Sequence, residues 1–288
     1  MPEREGRDDS PDLEGLRTGS PVTGRDRPRL HFGSGAQGIE RLEASLVGEA
    51  FAPHRHDTYA IGITIRGVQT FRYRGEGRYC LPGEAHILHP DETHDGAAGT
   101  DEGFGYRIIY LDPALVSEAL GGKPLPFVAD PVIRQRDVDP ALVACLKDLD
   151  EPIGEFERLE IAQAIADVLE RFAAARPRKP VPLALGPLSR VRGLIADDPT
   201  LRHPAAELER VSGLDRWTIA RQFRAAYGIN PTRFRTMRQL DRARLMLRSA
   251  VPLATAAAEA GFADQSHFSR MFKQAYGLTP ARWTAALA

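Results

Sequence analysis

Apolar side chains in the C-terminal third of the chain recur every three or four residues, which is the spacing of an amphipathic helix. In the stretch HPAAELERVSGLDRWTIARQFRAAYG, Leu208 and Val211 predict one helix, and Ile219 and Phe223 predict a second. Gly213 falls between the two, where one helix ends and a tight turn is needed. The pattern therefore predicts two helices joined by a short turn.

The same pattern occurs twice. Gly213 and Gly261 are 48 residues apart, and in the second copy Asp264 is the expected helix cap and Phe268 the inward-facing side chain. The residues between the copies, 231–249, predict one helix that would extend ~28 Å at 1.5 Å per residue. A helix of that length can hold two DNA-reading helices about one DNA turn apart, ~34 Å.

Between residues 31 and 111 the pattern changes to β-branched and aromatic residues that alternate in places and are punctuated by glycine. Such short segments predict the strands of a sandwich or barrel. His54 and His56 in PHRH would lie on one face of a strand, because strand side chains alternate. Residues 114–176 return to helical spacing with a broad apolar face, which predicts packing onto the strands, a dimer interface, or both.

The charge distribution adds a functional hint. Residues 181–288 hold 16 basic and 8 acidic residues, whereas the rest of the 288-residue chain holds 22 basic and 31 acidic ones. A basic unit joined to an acidic unit favours a polyanionic partner for the basic one, the alternative being a solvated helical surface. Cys80 and Cys145 lie far apart in sequence, and the two form neither a metal-type spacing nor a disulfide framework.

Several functional classes are not expected. No apolar run approaches the ~20 residues that span a bilayer, so we expect no membrane partner. Residues 1–29 are rich in charge, Gly and Pro and have no apolar secretory segment, which predicts a disordered tail and a cytoplasmic protein. The basic, proline-rich segment RPRKPVP predicts an interdomain linker.

The segment from about Leu188 to Leu287 closely resembles the AraC/XylS-type transcriptional regulators. The resemblance implies an all-α DNA-binding domain with two helix-turn-helix motifs. It rests on positions in both copies and in the helix between them: Gly213-Leu214, Arg221, Phe223, Gly228, Pro231, Phe234, Arg238, Ala243-Arg244, Leu247, Gly261-Phe262, Asp264, Ser266, Phe268, Arg270, Phe272-Lys273, Gly277, Thr279-Pro280 and Trp283.

The resemblance, together with the apolar spacing, identifies candidate DNA contacts on the two recognition helices. Arg221 and Arg270 can pair with guanine and Gln265 with adenine, the alternative for the arginines being an intramolecular salt bridge. Arg224, Arg233 and Lys273 are better interpreted as phosphate contacts. The remaining candidates are Trp217, which is alternatively a partly buried aromatic residue, and Thr218, Ala220, Ser266, His267 and Ser269.

Residues 40–112 resemble the cupin-type ligand-binding domain at the N-terminus of many AraC-type regulators. By this resemblance, His54, His56 and His94 match the ligand positions of metal-binding cupins, and a divalent metal is the one cofactor considered. The usual fourth ligand, a Glu, is absent, since positions 60 and 61 are Ala and Ile; His86 and His89 are alternative ligands or strand residues. Otherwise the histidines hydrogen-bond a ligand or hold the barrel end together. The other pocket candidates are Tyr59, Thr64, Arg72 and Tyr106.

The expected architecture is a two-domain α+β protein, with a cupin-like β-barrel and C-terminal helices followed by an all-α domain. The predicted boundaries are a tail (1–29), a ligand-sensing and dimerisation domain (30–175), a linker (176–186) and a DNA-binding domain (187–288). The expected function is a ligand-responsive, sequence-specific transcriptional regulator, not an enzyme. Its expected partners are double-stranded DNA, a small-molecule effector and a second copy of the chain, with RNA polymerase as a candidate.

Two other functions remain open at this point. One is a cupin metalloenzyme fused to a DNA-binding module, which would need a complete metal set and catalytic acids or bases. The other is a constitutive DNA binder whose barrel only dimerises, which a filled barrel interior would favour.

Overall fold

The computed structural model describes Leu16, residues 28–173 and residues 182–287. Most of the predicted tail and part of the predicted linker therefore lie outside the described residues. Leu16 is buried in a hydrophobic cluster of the N-terminal domain, and Arg29, at the end of the predicted tail, begins the first strand. The chain forms a two-domain α+β structure, with an N-terminal β-sheet domain followed by a helical domain.

The N-terminal domain contains ten strands within the described residues. They are β1 Arg29–Phe32, β2 Ile39–Leu46, β3 Glu49–His54, β4 Tyr59–Gly67, β5 Gln69–Tyr73, β6 Glu76–Cys80, β7 Ala85–Leu88, β8 His94–Ala98, β9 Phe104–Leu111 and β10 Val132–Ile133. Three α-helices and a short 3-10 helix, Gln135–Asp137, follow or interrupt them; the α-helices are α1 Pro113–Ala119, α2 Pro140–Cys145 and α3 Glu155–Phe172.

These strands form two antiparallel sheets. The larger has the order β1-β2-β9-β4-β7-β10 and the smaller the order β3-β8-β5-β6. Among the described residues no strand pairing joins one sheet to the other, so the predicted barrel takes the form of two sheets without closure. Their inner faces contribute to one hydrophobic cluster, in which Ile108 of the larger sheet and Phe71 of the smaller are both buried.

The larger sheet is apolar on both faces, because its two sides pack on different parts of the protein. On β4, Ile61 and Ile63 lie in the cluster that includes helices α2 and α3, whereas Ala60 lies in the cluster between the sheets. Helix α3 packs Ile165 and Leu169 into the first of these clusters. The apolar face predicted for this helix therefore does pack on the strands.

The helical domain contains seven helices within the described residues. They are α4 Leu185–Asp197, α5 Ala205–Ser212, α6 Arg216–Tyr227, α7 Pro231–Arg248, α8 Leu253–Glu259, α9 Gln265–Tyr276 and α10 Pro280–Ala285. Helices α5 and α6 form one pair joined by a short turn at Gly213, and α8 and α9 form a second pair with Gly261 in the turn.

Short polar side chains start the second helix of each pair. The Asp215 carboxylate accepts hydrogen bonds from the backbone of Trp217 and Thr218, and the Asp264 carboxylate accepts one from His267. Such caps satisfy backbone N–H groups that have no partner within the helix. Both α6 and α9 end at a left-handed glycine cap.

Helix α7 connects the two pairs and belongs to two cores. Phe234, near its start, is buried with Phe223 in a cluster formed mainly by α4 and α6. Further along the helix, Leu240 is buried in the cluster that includes α9, α10 and the inner faces of the sheets. One helix therefore packs against both helix pairs and against the N-terminal domain.

Candidate functional site

A cavity of about 240 Å³ lies between the two sheets and is covered by helix α7. Its apolar wall includes Leu42 and Ile108 of the larger sheet, together with Phe51 of the smaller one. The helical domain contributes Met237 and Trp283 to the same wall. The cavity is thus enclosed by both domains, whereas the sequence pattern predicts a pocket inside the N-terminal domain alone.

Three histidines come together on the cavity wall. His54 and His94 are partners in the register of strands β3 and β8, and their ring centroids are 4.2 Å apart. His56 follows the end of β3, and its ring lies 4.8 Å from that of His94. One nitrogen from each ring lies within 4.8 Å of the others, so the predicted three-histidine group does assemble.

Backbone carbonyls orient all three rings. The Nδ1 atom of His54 lies 2.9 Å from the Ala52 carbonyl oxygen, and that of His56 lies 2.9 Å from the Thr58 carbonyl oxygen. His94 Nδ1 contacts the Glu92 carbonyl oxygen at 3.0 Å. A carbonyl oxygen only accepts hydrogen bonds, so each Nδ1 must donate, and each Nε2 keeps a free lone pair.

Burial keeps these imidazoles neutral. It lowers the pKa of His54 and His56 well below the usual histidine value, and the neighbouring histidines lower both further. Burial also lowers the pKa of His94 to about 4, against the opposing hydrogen bond to Glu92. At neutral pH the group therefore offers three uncharged nitrogen lone pairs.

His86 and His89, the alternative ligands, have different environments. His86 lines the cavity, and neither of its ring nitrogens has a hydrogen-bond partner among the described residues. Burial lowers the pKa of His86 to about 3. The Nε2 atom of His89 instead accepts a hydrogen bond from the backbone of Val128 at 3.0 Å, outside the cavity lining. His86 is therefore available to a bound molecule, whereas His89 fixes the backbone at Val128.

Charged side chains of α7 form part of the cavity wall opposite the larger sheet. Arg244 donates two hydrogen bonds of 2.9 Å to the Glu40 carboxylate on β2. Arg238 donates to Asp57, which follows His56. Burial opposes the charge of Arg238, but Asp57 and Asp241 raise the pKa of its guanidinium above the ordinary value. Ion pairs between the domains thus border the cavity.

The structure brings together four of the seven predicted ligand-binding residues, namely His54, His56, His94 and Tyr106. Side-chain alternation explains why Tyr59 and Arg72 lie elsewhere. Tyr59 neighbours the cavity-lining Ala60 and therefore points to the opposite face, where its hydroxyl donates to the Pro126 carbonyl oxygen at 3.2 Å. Arg72 lies between two inward-facing aromatic residues and is exposed on the outer face of β5.

Thr64 also lies outside the cavity lining. Its hydroxyl is buried and donates to the Gln69 Oε1 atom at 3.2 Å. Gln69 itself lines the cavity. Thr64 therefore does not line the cavity itself but hydrogen-bonds Gln69, which does.

On α6, the first predicted recognition helix, the predicted DNA contacts lie away from the buried face. Ile219 and Phe223 are buried, whereas the Trp217 side chain is 77% exposed. Arg221 and Ala220 are also exposed, and Thr218 and Arg224 complete the predicted set on this helix. The Trp217 exposure argues against the alternative that this ring is partly buried.

On α9, the second predicted recognition helix, the same arrangement recurs. Four predicted contacts are exposed, namely Gln265, Ser266, Arg270 and Lys273. His267 and Ser269 are half-buried, and Phe268 and Phe272 form the buried face. Within residues 182–287 and the other described ranges, neither Arg221 nor Arg270 forms an ion pair, so the salt-bridge alternative gains no support.

Two predicted phosphate contacts are held by the N-terminal domain. Asp91, in the turn between β7 and β8, lies 3.6 Å from Arg224 and 4.0 Å from Arg233. The Arg233 side chain is only 12% exposed and donates to the Arg55 carbonyl oxygen at 2.6 Å, whereas that of Arg224 is 62% exposed. In this arrangement Arg233 is not accessible to a DNA backbone, because it is packed between the domains.

The glycine caps of both recognition helices touch the N-terminal domain. At Gly228, a Cβ atom would lie 2.5 Å from the Cβ of Pro90. At Gly277, it would lie 2.8 Å from the His54 Nδ1 atom. The Gly277 carbonyl oxygen also accepts a 3.0 Å hydrogen bond from the Ala52 backbone. Only glycine allows this close approach of the two domains.

The contribution of α7 to the cavity was not predicted from the sequence. Arg238, Asp241 and Arg244 line it, together with Tyr276, whose hydroxyl donates to Asp241 at 2.8 Å. The available signal was their spacing: residues at i, i+3 and i+6 place three charges along one face of a helix that also has a buried apolar face.

Comparisons with known proteins match both domains. Residues 36–169 match the family described as AraC-like ligand binding domain, and residues 208–286 match a family described as helix-turn-helix domain. The chain is 24% identical to the uncharacterized HTH-type transcriptional regulator YbfI of Bacillus subtilis, covering 83% of this chain and 86% of that protein. It is 25% identical to the arabinose operon regulatory protein of Salmonella typhimurium, over 79% of this chain and 83% of that protein.

Among solved structures, the chain resembles ToxT from Vibrio cholerae. One ToxT structure superposes with a TM-score of 0.62 and 13% identity, covering 87% of this chain and 99% of that chain. Another, described as unsaturated fatty acid bound ToxT, gives a TM-score of 0.61 and 12% identity, over 88% and 98% of the two chains. At these identities the likeness establishes the fold. Among the described residues, no helix is both long enough and apolar enough to span a bilayer.

Proposed function

Because the chain belongs to the AraC-type family of ligand-responsive transcriptional regulators, we propose that the cavity between its domains binds the effector and that α6 and α9 read DNA. The observation that carries the proposal is the shared wall of the cavity, which combines strands of the N-terminal domain with α7. A molecule in this cavity contacts both domains at once. It therefore favours the domain arrangement that fits it best.

The cavity suits a small effector. Its volume of about 240 Å³ lies just below the ~300–1,000 Å³ that is usual for ligand pockets. Apolar strands surround the centre, and His86 offers two unpaired ring nitrogens. ToxT has been solved with an unsaturated fatty acid. Here an acidic group would have to displace Glu40 or Asp57 from an arginine, so we infer a compact effector with polar hydrogen-bonding groups.

DNA reading is assigned to both helix pairs, each as a helix-turn-helix unit. The exposed faces of α6 and α9 carry Arg221 and Arg270, which can read guanine in successive major grooves. Lys273 and Arg224 add phosphate contacts. Asp91 competes with DNA for Arg224, because it lies 3.6 Å from that guanidinium in the arrangement described here.

The ligand response follows from the same contacts. Asp91 is in the turn that leads to His94, and its backbone N–H donates to the His56 carbonyl oxygen at 2.8 Å. A molecule that moves these histidines shifts Asp91 relative to α6 and α7. Arg224 and Arg233 then become available to DNA to an extent that the ratio of the effector affinities of the two states determines.

Dimer formation is assigned to α3. Phe156 is 83% exposed and Leu159 50% exposed on this helix, although most of its apolar face packs on the strands. Both side chains would be covered by a second copy of the chain. Contact with RNA polymerase stays a prediction.

The enzyme alternative receives less support. The relatives with matches over most of the chain are named as transcriptional regulators, not enzymes. The constitutive alternative is disfavoured by the open volume in the cavity, because a domain that only dimerises needs no such space.

The experiment is selection of genomic DNA fragments by the purified full chain at a stated salt concentration, followed by footprinting. We expect a protected region of about two helical turns per chain, since each unit reads one major groove. Arg221→Ala and Arg270→Ala should each weaken binding to the selected site. Arg136→Ala is the matched control, because this exposed arginine lies in the N-terminal domain and pairs with Asp137.

Two results would contradict the proposal. If no fragment is enriched over random DNA at any salt concentration, with or without cell extract as an effector source, the protein is not a sequence-specific DNA binder. If the control variant loses binding as strongly as the two recognition-helix variants, the assigned reading surface is wrong.

A further inference from the structure

The three-histidine group is built like a metal site. Each ring is oriented by a hydrogen bond from Nδ1 to a carbonyl oxygen, and each Nε2 keeps a lone pair. Histidines that bind metals show the same arrangement, in which the outer ring nitrogen donates to a fixed acceptor. The candidate nitrogens lie within 4.8 Å of one another. At metal–nitrogen bonds of ~2.1 Å, tetrahedral ligands are ~3.4 Å apart, so the rings must approach one another by up to ~1.4 Å to hold one ion.

We propose that His54, His56 and His94 bind one divalent transition-metal ion of the class of Zn²⁺, Co²⁺ or Ni²⁺. Neutral imidazoles suit these ions, whereas Mg²⁺ and Ca²⁺ prefer oxygen ligands. In the ranges that the structure describes, no carboxylate joins the group. Ala60 and Ile61 are buried apolar residues where metal-binding cupins carry a Glu. The site is therefore all-nitrogen and leaves positions open for water or an effector atom.

The cavity wall also carries charged side chains. More acidic than basic side chains line it: Glu40, Asp57, Asp95, Asp112 and Asp241 against Arg238 and Arg244. Near the ligands the two signs offset each other, because Asp95 acts on His94 whereas Arg233 and Arg244 act on His56, so the case for an ion rests on the geometry of the neutral imidazoles.

The site is placed to act on the second recognition helix, and this part of the inference rests on the proposed function. The Ala52 carbonyl oxygen orients His54, while the Ala52 backbone N–H donates to Gly277 at the end of α9. Arg55, between two of the ligands, donates its backbone N–H to the Gln274 carbonyl oxygen of α9 at 3.0 Å. Fixing the histidines therefore fixes the strand segment on which α9 ends.

Cobalt provides the test, because Co²⁺ bound to protein nitrogen ligands has a visible absorption spectrum that is independent of DNA. The full chain is stripped with a chelator and titrated with Co²⁺, then with Zn²⁺. We expect a Co²⁺ spectrum that saturates at one ion per chain and disappears when Zn²⁺ displaces the cobalt. Zn²⁺ should also raise the melting temperature, because it binds the folded chain.

Variants locate the ion. His94→Gln and His56→Gln should each weaken Co²⁺ binding by at least about 10-fold, since each removes one of three ligands. The matched controls are His31→Gln and His203→Gln, whose imidazoles pair with Asp150 and Glu207 outside the cavity. Circular dichroism establishes that each variant is folded. If a variant does not fold, the Zn²⁺-dependent melting shift of the unmodified chain still tests the metal site.

The outcomes separate the two parts. No cobalt spectrum and no melting shift in the unmodified chain would overturn the metal site, as would equal loss of binding in the control variants. If Co²⁺ binds but leaves the affinity for a selected DNA site unchanged, the link to α9 is overturned. If DNA binding is absent with and without metal, the proposed function fails while the spectrum still reports on the site.

Discussion

The two helix pairs of the C-terminal domain end in the same glycine cap but meet the N-terminal domain differently. Gly228, after α6, lies against Pro90, a residue with no polar side chain. Gly277, after α9, lies against His54 in the cavity wall. The first contact is with the turn between β7 and β8, and the second is with a residue that lines the cavity.

The cores of the two pairs differ in the same way. Phe223 of α6 is buried in a cluster made mainly by its own domain. Phe268 and Phe272 of α9 belong to the cluster that continues into the inner faces of both sheets. The second pair therefore shares more of its buried core with the N-terminal domain than the first pair does. We infer that effector binding acts more strongly on the second pair.

Lowering the pH should have the largest effect on stability, and it should affect the second helix pair before the first. Burial lowers the pKa of His89 to about 4 and that of His86 to about 3, below the unfolded value. The unfolded chain therefore binds more protons as the pH falls from 6.5 toward 4, and the free energy of unfolding falls with it. At pH 5, His89 alone accounts for about 2 kcal/mol.

This prediction is checked by urea unfolding in chelator at pH 7.5 and pH 5. Amide hydrogen exchange should show α9 losing protection before α6, because α9 is packed on the histidine-rich domain. If α6 and α9 lose protection from exchange at the same pH, the second helix pair does not depend more on the N-terminal domain than the first. His89→Leu should flatten the pH dependence.

The glycine caps offer a second comparison. Gly277→Ala places a methyl group 2.8 Å from His54 Nδ1 in a left-handed residue (φ 72°). Strain of about 1–2 kcal/mol and overpacking of about 1–3 kcal/mol should add, giving a loss of about 2–5 kcal/mol. Gly213→Ala is the matched control, since its φ is 73° and nothing lies within 4 Å.

Thermal melting of the two variants separates strain from contact. The control should lose only the backbone part, about 1–2 kcal/mol. If both variants lose the same amount, the contact between α9 and His54 contributes nothing to stability.

The recognition arginines come next. Arg221→Ala and Arg270→Ala should each cost about 1–3 kcal/mol on a preferred site and relax specificity at one base, if each reads guanine. Titration of the selected site and of single-base variants measures this. An equal loss on every sequence would make the residue a phosphate contact. Effector should change the cost of Arg270→Ala more than that of Arg221→Ala.

The smallest effects concern the phosphate contacts. Lys273→Ala should weaken binding uniformly across sequences and reduce the salt slope by about 1. Arg224→Ala should do less, because Asp91 already lies 3.6 Å from its guanidinium. Asp91→Asn should strengthen DNA binding by releasing Arg224. Salt titrations of the three variants check the order, and unchanged affinity in Asp91→Asn would exclude the competition.

Local patterns predicted the parts of this structure that local physics determines. The repeat gave both helix pairs, because turn glycines and cap residues such as Asp215 and Asp264 act within a few residues of their partners. Strand alternation placed His54 on the inner side with the other cavity histidines, and His94 came through the cupin resemblance. The same alternation puts Tyr59 on the face opposite the cavity. Assigning the inward face of β4 to Ala60 would have excluded Tyr59 from the predicted pocket.

The contacts between domains could not be predicted in this way. Arg238 and Arg244 pair with Asp57 and Glu40, which lie more than 180 positions earlier in the chain. No local pattern specifies such a partner. Arg233 was expected to face DNA phosphate, yet it is packed beside Asp91 because the domains meet there.

Helix α7 limits how this protein can be re-engineered. Because its Arg238, Asp241 and Arg244 complete the cavity, the sensor is not a detachable module. A chimaera that fuses residues 28–173 to the DNA-binding half of another regulator would leave the cavity without one wall. Transplanting the effector response therefore requires that the inward face of α7 travel with the sensor, while the exposed residues of α6 and α9 are exchanged.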